Sequence, residues 1–254
     1  LAVNGTVNDL AVSGAKPHYL SCGLILEEGL PIAELRRIMK SMAAACAEAG
    51  VSIVTGDTKV VPRGAADKIF ITTAGVGIIS QGVEVGAQRI RSDDVVLING
   101  YLGDHGAAIL AARGELKLET DIPSDCAPLN GLVEALLAEV DVHAMRDVTR
   151  GGLAACLNEL ALSSEVGMVV DEHALPVRRE VAGFCEILGL DPVHLANEGK
   201  LVIAVPAAQA DRALKVMRAH RYGERAAVET YTDPVAAVAR LGPDHAVVYV
   251  GPAG

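Results

Sequence analysis

Four short polar segments stand out from an otherwise apolar chain, and each joins an acidic residue to a glycine, a basic residue or both. They are NGTVND (4–9), TGDTK (55–59), RDVTRGG (146–152) and NEGK (197–200). A carboxylate at the end of a strand or helix is a suitable Mg²⁺ ligand, because this ion prefers hard oxygen donors and keeps waters and phosphate oxygens as its other ligands. Glycines let the backbone approach phosphates, and a helix N-terminus adds positive potential. The pattern predicts a metal–nucleotide site, and spacing alone supports nothing more specific.

The strongest of these segments is RDVTRGG, because Asp147, Thr149 and Arg150 precede a glycine pair and a predicted helix. Such residues cost stability unless a ligand uses them. TGDTK has a plainer interpretation, since an acid after a glycine is more often part of a turn or cap than a ligand. NEGK also has a plainer interpretation, in which Gly199 forms a turn and Lys200 is a solvated charge. None of the segments matches a P-loop or a G-x-G-x-x-G fingerprint.

Composition and charge narrow the class of protein. The chain has 254 residues, of which 51% are hydrophobic but only 3% aromatic, so its core must consist of Ala, Val, Leu and Ile. Such a core suits helices packed on sheets. A net charge of −10 argues against nucleic-acid binding, although a few local donors and a metal can still hold a nucleotide. No apolar run approaches the length of a membrane span, and no signal peptide is visible.

The five cysteines are widely separated and include no C-x-x-C pair. A disulfide framework or a zinc site is therefore not expected, and the composition favours a reducing cytoplasm. We expect these cysteines to be small buried hydrophobic residues.

The first half of the chain predicts one clear helix and two strands. The helix is PIAELRRIMKSMAAACAEAG (31–50), with proline in its first turn and glycine at its C-terminal end. VSIVTG (51–56) reads as a buried strand, followed by a polar loop at 57–67 and the strand KIFITTAGVGII (68–79). The Asn8-Asp9 pair is expected at the end of an apolar strand.

Helical and strand patterns alternate through the second half, beginning with the strand VVLING and the turn LGDHG. Asp104 in that turn is expected to cap the next helix, and His105 to be structural. The charged, turn-rich stretch 81–94 predicts a domain boundary. We therefore expect an α/β (α+β) protein of two lobes, with domains at 1–85 and 86–254.

Long strings of the chain resemble the HypE family of hydrogenase maturation proteins. They are NGTVNDLAVSGAKPHYLSCGLILEEGLP, TGDTKVVPRGAADK, LGDHG, RDVTRGGLAACLNELA and LGLDPVHLANEGKLV, in this order along nearly the whole chain. HypE belongs to the ATP-binding superfamily that includes aminoimidazole ribonucleotide synthetase (PurM), selenophosphate synthetase and thiamine-monophosphate kinase. The ND, GDT and D-x-T-x-GG elements alone would indicate only this superfamily.

The resemblance implies a two-lobed PurM-like fold and a cytoplasmic homodimer in which the N-terminal sheets pair into a shared barrel. It also implies a carbamoyl dehydratase that uses ATP and Mg²⁺ to convert an S-carboxamide on its own C-terminal cysteine into an S-cyanate. That product would supply cyanide to the iron of [NiFe]-hydrogenase. The carboxamide would come from HypF, and the cyanide would go to the HypC–HypD complex.

The same resemblance assigns roles to individual residues. Asp9 and Asp57 match the acids that hold Mg²⁺ and phosphate in the superfamily. Glu198 would be the base that removes the N–H protons, and Lys59 would polarise the carboxamide or stabilise its phosphorylated form. The other residues that the resemblance assigns to cofactor binding are Asn8, Thr58, Asp147, Thr149, Arg150, Gly151 and Gly152.

Two features of the family are missing from the sequence. A glycine-rich segment precedes the position of Leu1 in the family, and a Pro-Arg-Ile-Cys tail ends its members, whereas this sequence ends in GPAG. We therefore expect the sequence to be part of a longer protein and to be inactive alone. Cys126, in the loop SDCAP, is the only cysteine expected near the surface, but it is distant in sequence from NEGK and TGDTK.

Two other functions remain open from the residues. The protein could be another PurM-like kinase or synthetase, or it could be a non-catalytic docking and dimerisation module. The enzyme alternatives need a nucleotide cleft flanked by Asp9, Asp57 and Asp147, whereas the docking module does not.

Overall fold

The computed structural model of the chain describes residues 1–113, 122–231 and 247–250. The helices are α1 Ala2–Val12, α2 Ile32–Ala49, α3 Asp104–Ala112, α4 Asn130–Glu139, α5 Gly152–Ser164, α6 Arg179–Leu188 and α7 Ala210–Ala219. The strands are β1 Ala15–Glu27, β2 Ser52–Val61, β3 Ile69–Ile79, β4 Asp94–Ile98, β5 Ala144–Asp147, β6 Met168–Asp171, β7 Leu201–Pro206, β8 Ala227–Tyr231 and β9 Val247–Val250. The expected mixed α/β class is confirmed.

The N-terminal part is a three-stranded sheet in the order β2-β1-β3, with α1 and α2 packed on one face. The helix α2 connects the parallel neighbours β1 and β2, while β3 runs antiparallel to β1. Pro31 caps α2 at its start, and Gly50 ends it in the left-handed conformation with φ 69°, which glycine adopts at little cost. The helix predicted at 31–50 is therefore confirmed.

The C-terminal part is an antiparallel six-stranded sheet in the order β5-β7-β4-β8-β6-β9. Its central strands β4 and β7 are buried over almost their whole length, which their unbroken runs of Val, Leu and Ile explain. One core cluster lies between this sheet and α4 and α7, and a second lies between the other face and α5. The helices and strands predicted to alternate through the second half thus form a sheet that is covered by helices on both faces.

Three predictions for the N-terminal part are wrong. NGTVND lies within helix α1 and not at a strand end, because Val3, Val7 and Ala11 form a buried i, i+4 stripe. Val3 and Val7 pack on the three-stranded sheet, and Ala11 packs in the core of the C-terminal part. TGDTK lies within strand β2 and not in a loop, because pairing with β1 extends the strand as far as Val61. This strand is exposed along nearly its whole length, although its apolar start predicted burial.

Within the ranges given above, no helix combines the length and the hydropathy that crossing a bilayer requires. The face of the three-stranded sheet opposite α1 and α2, here called the open face, carries large exposed apolar side chains. They are Tyr19, Ile25, Phe70, Val76 and Ile78.

Candidate active site at the sheet edge

One edge of the six-stranded sheet brings together segments that are distant in sequence. Strand β5 ends at Asp147, which pairs with Leu201 at the start of the antiparallel strand β7. The NEGK segment directly precedes Leu201, so Asp147 and Glu198 lie at the same edge. The N–H of Val148 donates to the carbonyl of Lys200 at 2.9 Å and continues this pairing past the end of β5.

Helix α1 reaches this edge from the other sheet through Asn8, which is 2% exposed. The amide nitrogen of Asn8 donates to the carbonyls of Ala127 at 3.0 Å and Glu198 at 3.2 Å, and its oxygen accepts from the N–H of Leu129 at 2.8 Å. These bonds explain why a polar residue lies on the apolar side of α1. The side chain of Asn8 is therefore engaged inside the protein, and its assignment to nucleotide binding stays a prediction.

Asp9, the next residue, joins Asp147 and Glu198 in a cluster of acids. Burial raises the pKa of Asp147, and the charge of Asp9 raises it further. Loss of solvation also raises the pKa of Asp9, which the positive charge of Arg146 partly offsets. Burial raises the pKa of Glu198 as well, with further contributions from the charges of Asp125, Asp147 and Asp9. Like charges gathered in this way favour a bound cation or proton.

The segment at 124–127 supplies an acid that the sequence analysis missed. Asp125 accepts a hydrogen bond from the N–H of Glu198 at 3.0 Å and forms an ion pair with Lys200 at 2.8 Å. The side chains of this pair are only 4% and 9% exposed, so the expectation that Lys200 is a solvated charge is wrong. The only sequence signal was an acid in a short polar loop.

The RDVTRGG segment forms a tight turn into helix α5. Gly151 caps the helix with φ 80°, and Gly152 has φ 66°, both in the region that glycine favours. A Cβ at Gly152 would lie 2.2 Å from the carbonyl oxygen of Val193, so no larger residue fits there. Thr149 is half-buried and Arg150 is exposed beside this turn. The turn leads into the N-terminus of α5, and a helix N-terminus suits a phosphate.

TGDTK lies elsewhere in the described chain. Asp57 pairs with Gly23 and Lys59 with Ile25, whereas Thr58 pairs with Leu24, which belongs to the core beneath the helices. Because side chains alternate along a strand, Asp57 and Lys59 project from the open face of the sheet, away from α1. The structure therefore brings Asp9, Asp147 and Glu198 together, and it does not bring Asp57, Thr58 or Lys59 to them.

Among the described residues, no group of three or more His, Cys, Asp or Glu side chains has the arrangement of a complete metal site. The acids at the sheet edge nevertheless suit Mg²⁺, which takes one or two carboxylates and completes its shell with waters and phosphate oxygens. Beside Asp9, an open groove of about 670 Å³ runs between α1, α2 and β3. Its walls combine hydroxyls, such as that of Thr6, with apolar side chains such as Ile38, and its size is that of a small-molecule site.

Cys126 lies beside the NEGK segment in space, although it is 72 residues away from Glu198 in sequence. Its neighbour Asp125 binds the N–H of Glu198, and its sulfur accepts a hydrogen bond from the amide of Asn4 at 3.6 Å. All five cysteines are free, and Cys126 is the only one that is not buried. The sequence separation between Cys126 and NEGK was therefore a poor guide to the distance between them in the folded protein.

Comparisons with known proteins identify the family of the chain. Two family models match, the N-terminal domain of AIR synthase related proteins over residues 1–79 and their C-terminal domain over residues 91–228. The carbamoyl dehydratase HypE of Rhodobacter capsulatus is 58% identical over 229 residues, which cover 90% of this chain and 67% of that protein. The chain thus spans about two thirds of this relative.

Two solved structures are also similar. HypE in complex with ATP has a TM-score of 0.87 and 51% identity, with 91% of this chain and 70% of that chain covered. A HypE–HypF complex has a TM-score of 0.87 and 47% identity, with 90% and 75% covered. On this evidence the chain belongs to the HypE family of carbamoyl dehydratases, within the AIR synthase related proteins.

Proposed function

We propose that this protein uses ATP to dehydrate an S-carboxamide on a C-terminal cysteine to an S-cyanate, as a source of cyanide for the iron of [NiFe]-hydrogenase. The observation that carries the proposal is the convergence of Asp9, Asp147 and Glu198 at one sheet edge, with raised pKa values. The names of the relatives and the ATP complex of one of them support it. A separate kinase or synthetase function has no comparable support.

The chemistry follows from the poor leaving ability of an amide oxygen. The carboxamide oxygen attacks the γ-phosphorus of ATP, ADP departs, and the nitrogen loses one proton. The nitrogen then loses its second proton while the C–O bond breaks and inorganic phosphate leaves, so that a C≡N group remains on sulfur. Catalysis consists of positioning, charge neutralisation and proton removal.

Glu198 is the residue that takes up these protons in our proposal. Its carboxylate lies in partly buried surroundings beside other acids, which raise its pKa and make it a better proton acceptor than a solvated glutamate. A general base of this kind needs fixed geometry, which the hydrogen bonds to the Glu198 backbone provide. Arg146, Thr149 and Arg150 add donors beside the cluster.

Asp9 would hold Mg²⁺ at the sheet edge, where the ion would supply positive charge to offset that of the phosphates. The N-terminus of α5, with its Gly151-Gly152 turn, lies after Asp147 and would bind phosphate oxygens. The groove beside Asp9 would take the nucleoside, because it offers apolar walls and hydroxyls.

We further propose that two copies pair through the open face of the three-stranded sheet. Its exposed apolar side chains, including Phe70 at 49% and Val76 at 61%, need a partner surface. Asp57 and Lys59 project from this same face, so pairing would enclose them in the shared interface. The resemblance assigns Asp57 to Mg²⁺ binding and Lys59 to the carboxamide. Thr58 would contact the nucleotide from the other side of β2.

Substituting Phe70→Glu/Val76→Asp should give a folded monomer, because two charges on the open face oppose pairing. Light scattering at micromolar concentration would measure the mass, and circular dichroism would measure folding. Ile187→Glu is the matched control, since Ile187 is 67% exposed on α6 and lies in the other part of the chain. A dimer that survives the double substitution would refute this interface, as would an unsubstituted monomer.

The partners follow from the same proposal. A relative is found in complex with HypF, which supports HypF as the source of the carboxamide for this protein. The HypC–HypD complex would accept the cyanide. A cytoplasmic location suits a protein with five free cysteines.

Mass spectrometry tests the proposed function directly. The protein is prepared with the family's C-terminal cysteine tail, is loaded by HypF with carbamoyl phosphate and ATP, and is then separated from the nucleotide. We expect an adduct on the terminal cysteine that loses one water when ATP is added, and we expect no adduct on Cys126. Cys126→Ser should react normally, and terminal Cys→Ala should not react at all. An adduct on Cys126 would show that the terminal cysteine is not the residue that carries the carboxamide. A carboxamide that stays unchanged in the presence of ATP would contradict the dehydration.

A further inference from the structure

The main chain of Glu198 is held from both sides by side chains of distant segments. Its N–H donates to Oδ1 of Asp125 at 3.0 Å, and its carbonyl accepts from Nδ2 of Asn8 at 3.2 Å. Asp125 and Asn8 lie 73 and 190 residues away from Glu198 in sequence. A loop residue with both peptide groups engaged in this way has a fixed backbone, so the direction of its Cα–Cβ bond is also fixed.

The next residue shows how closely these segments fit. A Cβ at Gly199 would lie 1.9 Å from the carbonyl oxygen of Asp125, so only glycine permits this approach. The carbonyl of Gly199 accepts from Asn99 at 3.1 Å, and the oxygen of Asn99 accepts from the N–H of Leu201 at 2.9 Å. The segment that carries Glu198 is therefore pressed against residues 125–127.

Asp125 is itself fixed by its second oxygen. Oδ2 forms an ion pair with Nζ of Lys200 at 2.8 Å, and both side chains are almost fully buried. Beyond this pair, a polar cavity of about 460 Å³ is lined by Arg178, Tyr101 and both members of the pair. Because each carboxylate oxygen has a separate partner, the orientation of Asp125 towards Glu198 is determined.

We propose that Asp125 is a positioning residue that holds the Glu198 backbone so that its carboxyl group points at the substrate. The proposal rests on the proposed function, in which Glu198 accepts protons from the carboxamide. Asp125 does not itself touch the substrate in this account. A displacement of about 1 Å in a catalytic group can cost about 100-fold in rate, so a hydrogen bond that fixes the backbone can control turnover.

Two double variants separate the hydrogen bond from the ion pair. Asp125→Asn/Lys200→Met removes both charges but leaves an amide oxygen that can accept from the N–H of Glu198. Asp125→Ala/Lys200→Met removes the charges and the acceptor together. Methionine resembles the lysine stem in shape, and replacement of a buried ion pair by uncharged groups is often close to neutral for stability. The two variants therefore differ by one carboxamide group, whose oxygen is the acceptor for the N–H of Glu198.

The dehydration rate is measured in the protein with the family's cysteine tail. We expect kcat of the Ala double variant to be about 10- to 100-fold below that of the Asn double variant, with the same KM for ATP. Amide hydrogen exchange of residues 197–200 should be faster in the Ala variant. Equal kcat values and equal exchange in the two variants would overturn the proposal.

The exchange measurement also separates this proposal from the proposed function. If the unsubstituted protein dehydrates nothing, the proposed function fails, and exchange still decides whether Asp125 fixes the Glu198 backbone. If the enzyme is active and both double variants exchange alike, the positioning role fails while the function stands. An increase in KM for ATP with unchanged kcat would also overturn the positioning role.

Discussion

Replacing Glu198 by Gln should lower the dehydration rate by about 100- to 10,000-fold, the usual contribution of a positioned acid or base. Gln preserves the shape of the side chain and both main-chain hydrogen bonds but cannot take up a proton. Stability should not fall, because the substitution removes a charge that lies among Asp9, Asp125 and Asp147. The measurements are single-turnover cyanate formation and the thermal midpoint.

Glu180→Gln is the matched control, because Glu180 is exposed in the first turn of α6, on a different surface. This variant should keep the full rate. If the thermal midpoint of Glu198→Gln falls together with the rate, Glu198 has a structural role. A rate that stays within about threefold of the unsubstituted enzyme would exclude Glu198 as the general base, since a base contributes about 100-fold or more.

Replacing Asp147 by Asn should make the protein more stable at neutral pH and much less active. The pKa of Asp147 is raised in the folded protein by burial and by Asp9, so its ionised form destabilises the folded state relative to the unfolded chain. As pH falls through the folded-state pKa towards the ordinary value of 3.8, the folded protein binds the proton first and this destabilisation disappears. The stability gain of Asp147→Asn should therefore be largest at neutral pH and vanish near pH 4.

The gain is read as a higher thermal midpoint, which rises by about 2–4 °C for each kcal/mol of added stability in a domain of this size. Activity should fall, because Asp147 contributes negative charge beside the proposed Mg²⁺–phosphate site. Asp93→Asn, in the exposed loop before β4, is the control and should change neither quantity. A thermal midpoint that falls at pH 7 in Asp147→Asn would contradict the electrostatic cost assigned to the acid cluster.

Much of the fold followed from local patterns in the sequence. The helix α2 was predictable because Pro31, Gly50 and its apolar stripe agree, and the strands β4 and β7 were predictable because their apolar runs are unbroken. Helix α1 was missed because Asn4, Gly5 and Asn8 conceal the stripe of Val3, Val7 and Ala11. Local propensity weighed against a helix there, and burial of this stripe outweighed it.

The candidate site was only partly predictable, because its members meet through pairing between distant segments. Asp147 and Glu198 were identified by motif, and antiparallel pairing of β5 with β7 explains why they are neighbours. Asp125 and Lys200 could not be recognised as a pair, since one lies in a loop without any motif and the other looked like a solvated charge. Asn8 was identified, but its role required knowledge of three backbone partners.

The central claim, that ATP activates the carboxamide oxygen, is tested most directly by isotope transfer. The carboxamide on the terminal cysteine is prepared with a heavy oxygen isotope, and the inorganic phosphate released during cyanate formation is analysed by mass spectrometry. The account predicts that each cyanate formed delivers one heavy oxygen to phosphate. Heavy oxygen that appears in water while the phosphate stays unlabelled would contradict it.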